Sequence, residues 1–211
     1  LQTARSLHEY DWQDGVELLL PGASDITTKR YPGQSRTERI FDTTGIMAAQ
    51  TLAASIQGAV TNQALEWFRM QFRQAELNKI ASVKDWLATV NDAMLSAYNA
   101  SNFYQAAHTF YLHLCVFGTA AMYAGQRDAL SSPADGTFNL RFKPLQMGSY
   151  CIAENADGVV DTLYHSVWYT PRQAYQRWGD DISMQMHQHM ADPNQRDKYF
   201  EFLQCVFPRE E

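Results

Sequence analysis

At Gly118 the spacing of apolar residues changes, and that change constrains the fold more than any other feature of the chain. Before it, apolar residues recur three and four apart. Ile46, Ala49, Ala53, Ile56 and Val60 define one helix face. Val83, Trp86 or Leu87, Val90, Met94 and Ala97 define a second, opened by Ser82 and Asp85 at capping-box spacing. Phe103, Ala107, Phe110, Leu114 and Phe117 define a third, which Gly118 closes. The last two, separated only by the break "NASN", predict an antiparallel helical hairpin. Beyond Gly118 the period falls to two. Phe138, Leu140 and Phe142 alternate with Asn139 and Arg141, and residues 150–154 and 159–169 read as strands joined by a turn at Asp157-Gly158. Thr170-Pro171-Arg172-Gln173 then offers a helix N-cap, a proline at the first helical position and a capping-box glutamine, with Gly179 as the stop.

The remaining segments fit around this frame. Residues 2–20 read as one helix ended by Pro21-Gly22, and 23–39 as a polar loop. "EWFRMQF", residues 66–72, reads as a short strand or extended segment. Residues 182–190 predict a short helix with Ile182, Met186 and Met190 on one face, and an apolar segment, 200–207, follows near the end. Helices come first, antiparallel strands later, and βαβ alternation is absent. The class is α+β, with 1–120 mainly helical and 121–211 β-rich with short helices.

From Thr43 to Leu65 no residue carries a formal charge, although the chain has 23 acidic and 17 basic residues. A membrane span is rejected. Residues 45–60 would extend only about 24 Å as a helix, short of the ~30 Å hydrocarbon core, and would bury Gln50 and Gln57 in lipid at high cost. Ala48, Ala49, Ala53, Ala54 and Ala59 permit close approach of another backbone, so the helix over 44–60 is expected to be a tightly packed internal element.

Composition narrows the function. Five Trp, eleven Tyr and eleven Phe supply ample core. A net charge of −6 argues against a dedicated nucleic-acid-binding surface, which needs clustered Lys and Arg. Cys115, Cys151 and Cys205 are far apart and form no CxxC, so neither a zinc site nor a disulfide framework is suggested and a reduced, intracellular setting is expected. The chain begins at Leu1 and stops on "CVFPREE"; it is expected to be a piece of a longer protein.

Catalytic and metal motifs are weak. There is no GxxxxGK[ST], GxGxxG or GxSxG. "SMQMHQHMAD" has soft donors for copper in Met184, Met186, His187, His189 and Met190, but His187 and His189 are two apart and diverge on a helix. His108 and His113, five apart, also miss a shared face. Asp180-Asp181 and Glu210-Glu211 are expected to be solvated charges. Trp67, Phe68 and Phe72 could stack on bases, but only Arg69 and Arg73 are interleaved with them, so core packing is expected. No catalytic, cofactor-binding or metal-binding residues are therefore assigned.

Four ordered segments carry a resemblance: "FDTTGIMAAQTLAASIQGAVTNQALEWFRM" (41–70), "CVFGTAAMY" (115–123), "FKPLQMGSYCIAENADGVVDTLYHSVWYTPRQAYQRWG" (142–179) and "FPRE" (207–210). From about Arg39 onward the chain resembles the head-to-tail connecting, or portal, proteins of short-tailed bacteriophages. It departs from them in having His165 where members often have Arg, and Trp178 before Gly179 where Phe is usual. The resemblance implies a structural, non-enzymatic protein without cofactor, located in the virion and assembled in the host cytoplasm. Twelve copies would form a ring at one capsid vertex, through which double-stranded DNA is packaged and ejected and on which the tail is built. Its implied partners are capsid and scaffold proteins, terminase and tail adaptors. This part would be the wing region, a helical layer plus a small barrel-like sheet, without the stem and clip. An acidic surface beside such a conduit would let DNA slide without being held. A soluble adaptor or scaffold-binding module is the alternative the same elements support, and a His/Met metal-binding protein a further one.

Overall fold

The computed structural model describes residues 1–28, 33–126 and 140–209. Residues 29–32 of the polar loop, Phe138 and Asn139 of the expected alternation, and Glu210 and Glu211 lie outside them. Contacts group the chain into two units, Asp11–Leu145 and Leu1–Tyr10 with Gln146–Glu211. This grouping follows contacts in space, whereas the expected division at 120 follows the change from helical to strand-rich sequence. The described residues form an α+β arrangement with two small antiparallel sheets.

The helix expected over 2–20 is two helices, α1 (Gln2–Ser6) and α2 (Glu9–Leu19). In the Asp11–Leu145 unit, the polar loop is stitched to α2 by Gln13. The buried Gln13 amide accepts from the Ile26 and Thr27 backbone N–H groups at 2.8 and 3.0 Å, and donates to Glu17 at 2.9 Å. Arg39 closes the same loop on Asp14 and Glu17 at 2.6 and 2.7 Å. Next come α3 (Thr44–Val60), α4 (Ala81–Ala100) and α5 (Phe103–Phe117). Residues 66–72 form neither helix nor strand and pair with no described strand, so the strand reading is corrected.

The expected cap of α4 does not form: the helix starts at Ala81 behind Ile80, with no side-chain cap bond. The expected hairpin is also modified. α5 packs chiefly on α3, and its contact with α4 is far smaller. Tyr98 meets Phe103 across the joint, with ring centroids 4.8 Å apart. At its far end α5 stops at Gly118, whose φ of +73° is the left-handed cap conformation that favours glycine.

The core of this unit lies where α5 meets β2 (Leu140–Pro144), which pairs with β1 (Met122–Gln126). Phe103, Ala106, Ala107 and Phe142 are buried together, ringed by Trp67, Tyr98, Tyr104 and Tyr111. Asn102 precedes α5 but does not cap it. Its side chain instead donates to the Phe142 carbonyl at 2.6 Å and accepts from the Phe142 N–H at 2.9 Å, as a neighbouring strand would. These two bonds fix the first turn of α5 to β2.

The other unit is built on a sheet of order β3-β4-β5: β3 (Tyr150–Glu154), β4 (Val160–Tyr169) and β5 (Phe200–Val206). Gly158, at φ +73°, makes the expected turn, and the Asn155 side chain accepts from the Asp157 and Val159 N–H groups at 2.9 and 3.0 Å. α6 (Pro171–Trp178) has the full capping box, Thr170 and Gln173 each bonding the other's backbone N–H. α7 (Met184–Ala191) follows. Arg5 ties α1 to the start of β3 through the Gly148 and Tyr150 carbonyls, at 2.8 and 3.3 Å, while bonding Glu9 at 2.7 Å. The expected barrel-like closure is corrected: β1-β2 and β3-β4-β5 are separate open sheets, because no described strand joins one to the other.

Candidate functional site

The uncharged helix α3 has two unlike sides. On one, Gly45, Ile46, Ala49, Ala53 and Ile56 turn inward, and Ala53 is 0% exposed. The two glutamines that argue against a membrane span line the α5 side. Gln57 donates to the Tyr104 carbonyl at 2.8 Å. His108 of α5 lies between them, its Nδ1 3.0 Å from Gln57 Oε1 and its Nε2 3.2 Å from Gln50 Oε1. Which ring nitrogen donates depends on the imidazole tautomer, and both contacts hold the ring between the two amides. The result is a polar clip across an otherwise apolar seam, and it sets the rotation of α3 on α5.

The opposite side corrects the expectation of an internal element. Ala48, Ala54 and Ala59 are exposed, as are Met47 (66%) and Leu52 (52%), with Phe41 and Leu65 open at either end. The helix has one principal neighbour, α5, so small uncharged residues on the far side meet no other described element closely. No described helix is long and apolar enough to cross a membrane.

The β3-β4-β5 sheet is also two-faced. Val167 and His165 are buried on one face, where Tyr169, Trp178 and Phe202 form a ring cluster with centroids 5.2 to 5.7 Å apart. Alternate residues put Trp168 (58% exposed) and Leu203 (63%) on the other face, where Ser166 bonds Glu201 across the strands. β5 is an edge strand, so its outer backbone groups are unpaired within the sheet.

The residues weighed for chemistry are placed apart. His189 stacks on Phe200 at 4.7 Å and His187 meets Tyr175 at 6.1 Å. Ile182, Met186 and Met190 are half-buried while Met184 is exposed. Among the described residues no group of three or more His, Cys, Asp or Glu could hold a metal ion. Cys115, Cys151 and Cys205 are free thiols. Trp67 stacks on Phe103 at 5.5 Å and Phe68 meets Tyr98 at 5.9 Å, so these two serve packing, whereas Phe72 stacks on Trp86 at 6.1 Å with both rings exposed. His113 is held below its ordinary pKa by burial, opposed by a hydrogen bond with the Leu145 backbone. Sequence reasoning missed Arg5 and Asn102, whose partners are distant in the chain and carry no local signal.

Open apolar faces on a helix and on a sheet, with polar clips holding the elements behind them, are the features of a protein that packs against other protein. The chain belongs to the bacteriophage head to tail connecting protein family, whose family model matches residues 1–211. It is 31% identical over 210 residues to the probable portal protein of Bordetella phage BPP-1, covering 99% of this chain and 36% of that protein. It is 28% identical over 209 residues to the portal protein of Salmonella phage epsilon15, again covering 99% of this chain and 36% of the relative. The chain thus spans little more than a third of the length of these relatives.

Proposed function

We infer that these residues are the wing region of a phage portal protein, with 1–120 its mainly helical part and 121–211 its β-rich part. In the full protein, copies close into a ring, a dodecamer, at one capsid vertex. Double-stranded DNA passes through the ring during packaging and ejection without sequence-specific contacts. Capsid and scaffold proteins, terminase and tail adaptors bind the ring, which is assembled in the host cytoplasm and stays in the virion. The role is structural and non-enzymatic. The observation that carries this reading is the family match along residues 1–211 together with two portal relatives that align over 99% of the chain. The exposed α3 face and the open sheet face support it as surfaces for neighbouring subunits, and a net charge of −6 is compatible with DNA that slides rather than binds. Immunogold labelling of intact virions with an antibody to this region tests the reading. Label at the single vertex between head and tail is expected; label spread over the shell, or none on disrupted particles, overturns it.

A further inference from the structure

The sheet β3-β4-β5 has two outer edges, and they are built differently. The Ser166 N–H donates to the Ser149 carbonyl at 2.8 Å, so in β4 the backbone of Tyr164 and Ser166 bonds toward β3 and that of His165 and Val167 toward β5. In the β4–β5 register this turns Phe202 and Gln204 to β4, and leaves the N–H and carbonyl groups of Glu201, Leu203 and Cys205 on the outer edge. The same alternation turns Tyr150 outward from β3. There Arg5 takes the Gly148 and Tyr150 carbonyls, and at the other end the register shifts between Ala153 and Glu154, an irregularity of the kind that guards an edge.

β5 has no such guard. It pairs with β4 without a register shift, and its sequence FEFLQCV holds one charge and no Lys, Pro or Gly. Among the described residues, the one group that reaches its outer edge is its own Cys205 thiol, 4.0 Å from the Leu203 carbonyl. Leu203, Val206 and the adjoining Phe207 are exposed beside it. A regular, apolar edge left unblocked is a template for a further strand.

We propose that in the full-length protein a strand from outside residues 1–211 of the same chain lies along this edge and completes the sheet. Residues 1–211 cover 36% of each portal relative, so most of such a polypeptide lies elsewhere, and three strands are fewer than most sheets have. A second copy fits less well. Its β3 edge is closed by Arg5 and the shifted register, and β5 against β5 is a two-fold contact, which a ring of head-to-tail neighbours does not use. This exclusion of a second copy rests on the portal reading, whereas the open edge does not.

Amide-resolved hydrogen exchange on the unassembled full-length protein is the test. The N–H groups of Leu203 and Cys205 should exchange within about tenfold of those of Phe202 and Gln204, as amides paired within one sheet do. A photo-crosslinking side chain placed at the exposed Leu203 should join β5 to a peptide of the same chain outside residues 1–211. Exchange of Leu203 and Cys205 at the rate of unstructured amides, protection that arises only on assembly into rings, or cross-links confined to other copies overturns the proposal. Electron microscopy scores ring formation separately: rings with an unprotected β5 contradict this inference alone, and a protected β5 without rings contradicts the portal reading alone.

Discussion

Replacing Ala53 with leucine puts an isobutyl group where a methyl now sits, at a position with 0% exposure on the seam between α3 and α5. Neither wall can retreat freely. Gln57 is bonded to the Tyr104 carbonyl, His108 spans Gln50 and Gln57, and α5 is in turn fixed to β2 by Asn102. The added carbons must therefore displace packed side chains, which typically costs about 1–3 kcal/mol. For a chain of this size, that lowers the melting temperature by about 2–12 °C. Ala54, the next residue, is exposed, so Ala54→Leu should change stability by no more than about 0.5 kcal/mol. Urea and thermal denaturation of the two variants beside the parent read the difference directly. A neutral Ala53→Leu would mean that α3 is not close-packed on α5. Equal damage from both variants would mean that the two sides of α3 have been misassigned.

Three further outcomes are expected. Asn102→Ala removes both bonds to Phe142 and leaves a buried backbone pair unsatisfied, so it should cost about 2–3 kcal/mol in the same denaturation experiments. Burial lowers the His113 pKa below the ordinary 6.5, so on acidification the unfolded chain takes up the proton before the folded one. Its contribution is thus fully present above pH 6.5 and is lost as pH falls toward the folded-state value; denaturation midpoints should drop over that range, and His113→Gln should flatten the drop. Thr170→Ala breaks the capping box of α6 and should cost about 1 kcal/mol, measured as a lower denaturation midpoint.

Features encoded within a few residues were legible in the sequence. The Thr170 and Gln173 box, the left-handed cap at Gly118 and the Asp157-Gly158 turn each depend on neighbours along the chain, and each is present. The bounds of α3 followed from its apolar period in the same way. What could not be read depends on distant partners. Met122–Gln126 has no clear alternation and becomes β1 through pairing with β2. Asn102 suits an N-cap but is drawn to the Phe142 backbone instead. The alanines of α3 showed that close approach is possible, yet not on how many sides; only Ala53 is fully buried. For the functional surfaces, the uncharged run was visible at once, whereas which of its sides lies open required knowing that α5 is its principal neighbour.

The central claim concerns assembly, and electron microscopy of the purified full-length protein tests it most directly. Closed rings with a central hole wide enough for duplex DNA are the predicted result. A strictly monomeric full-length protein, with no rings at any concentration examined, would contradict the portal reading.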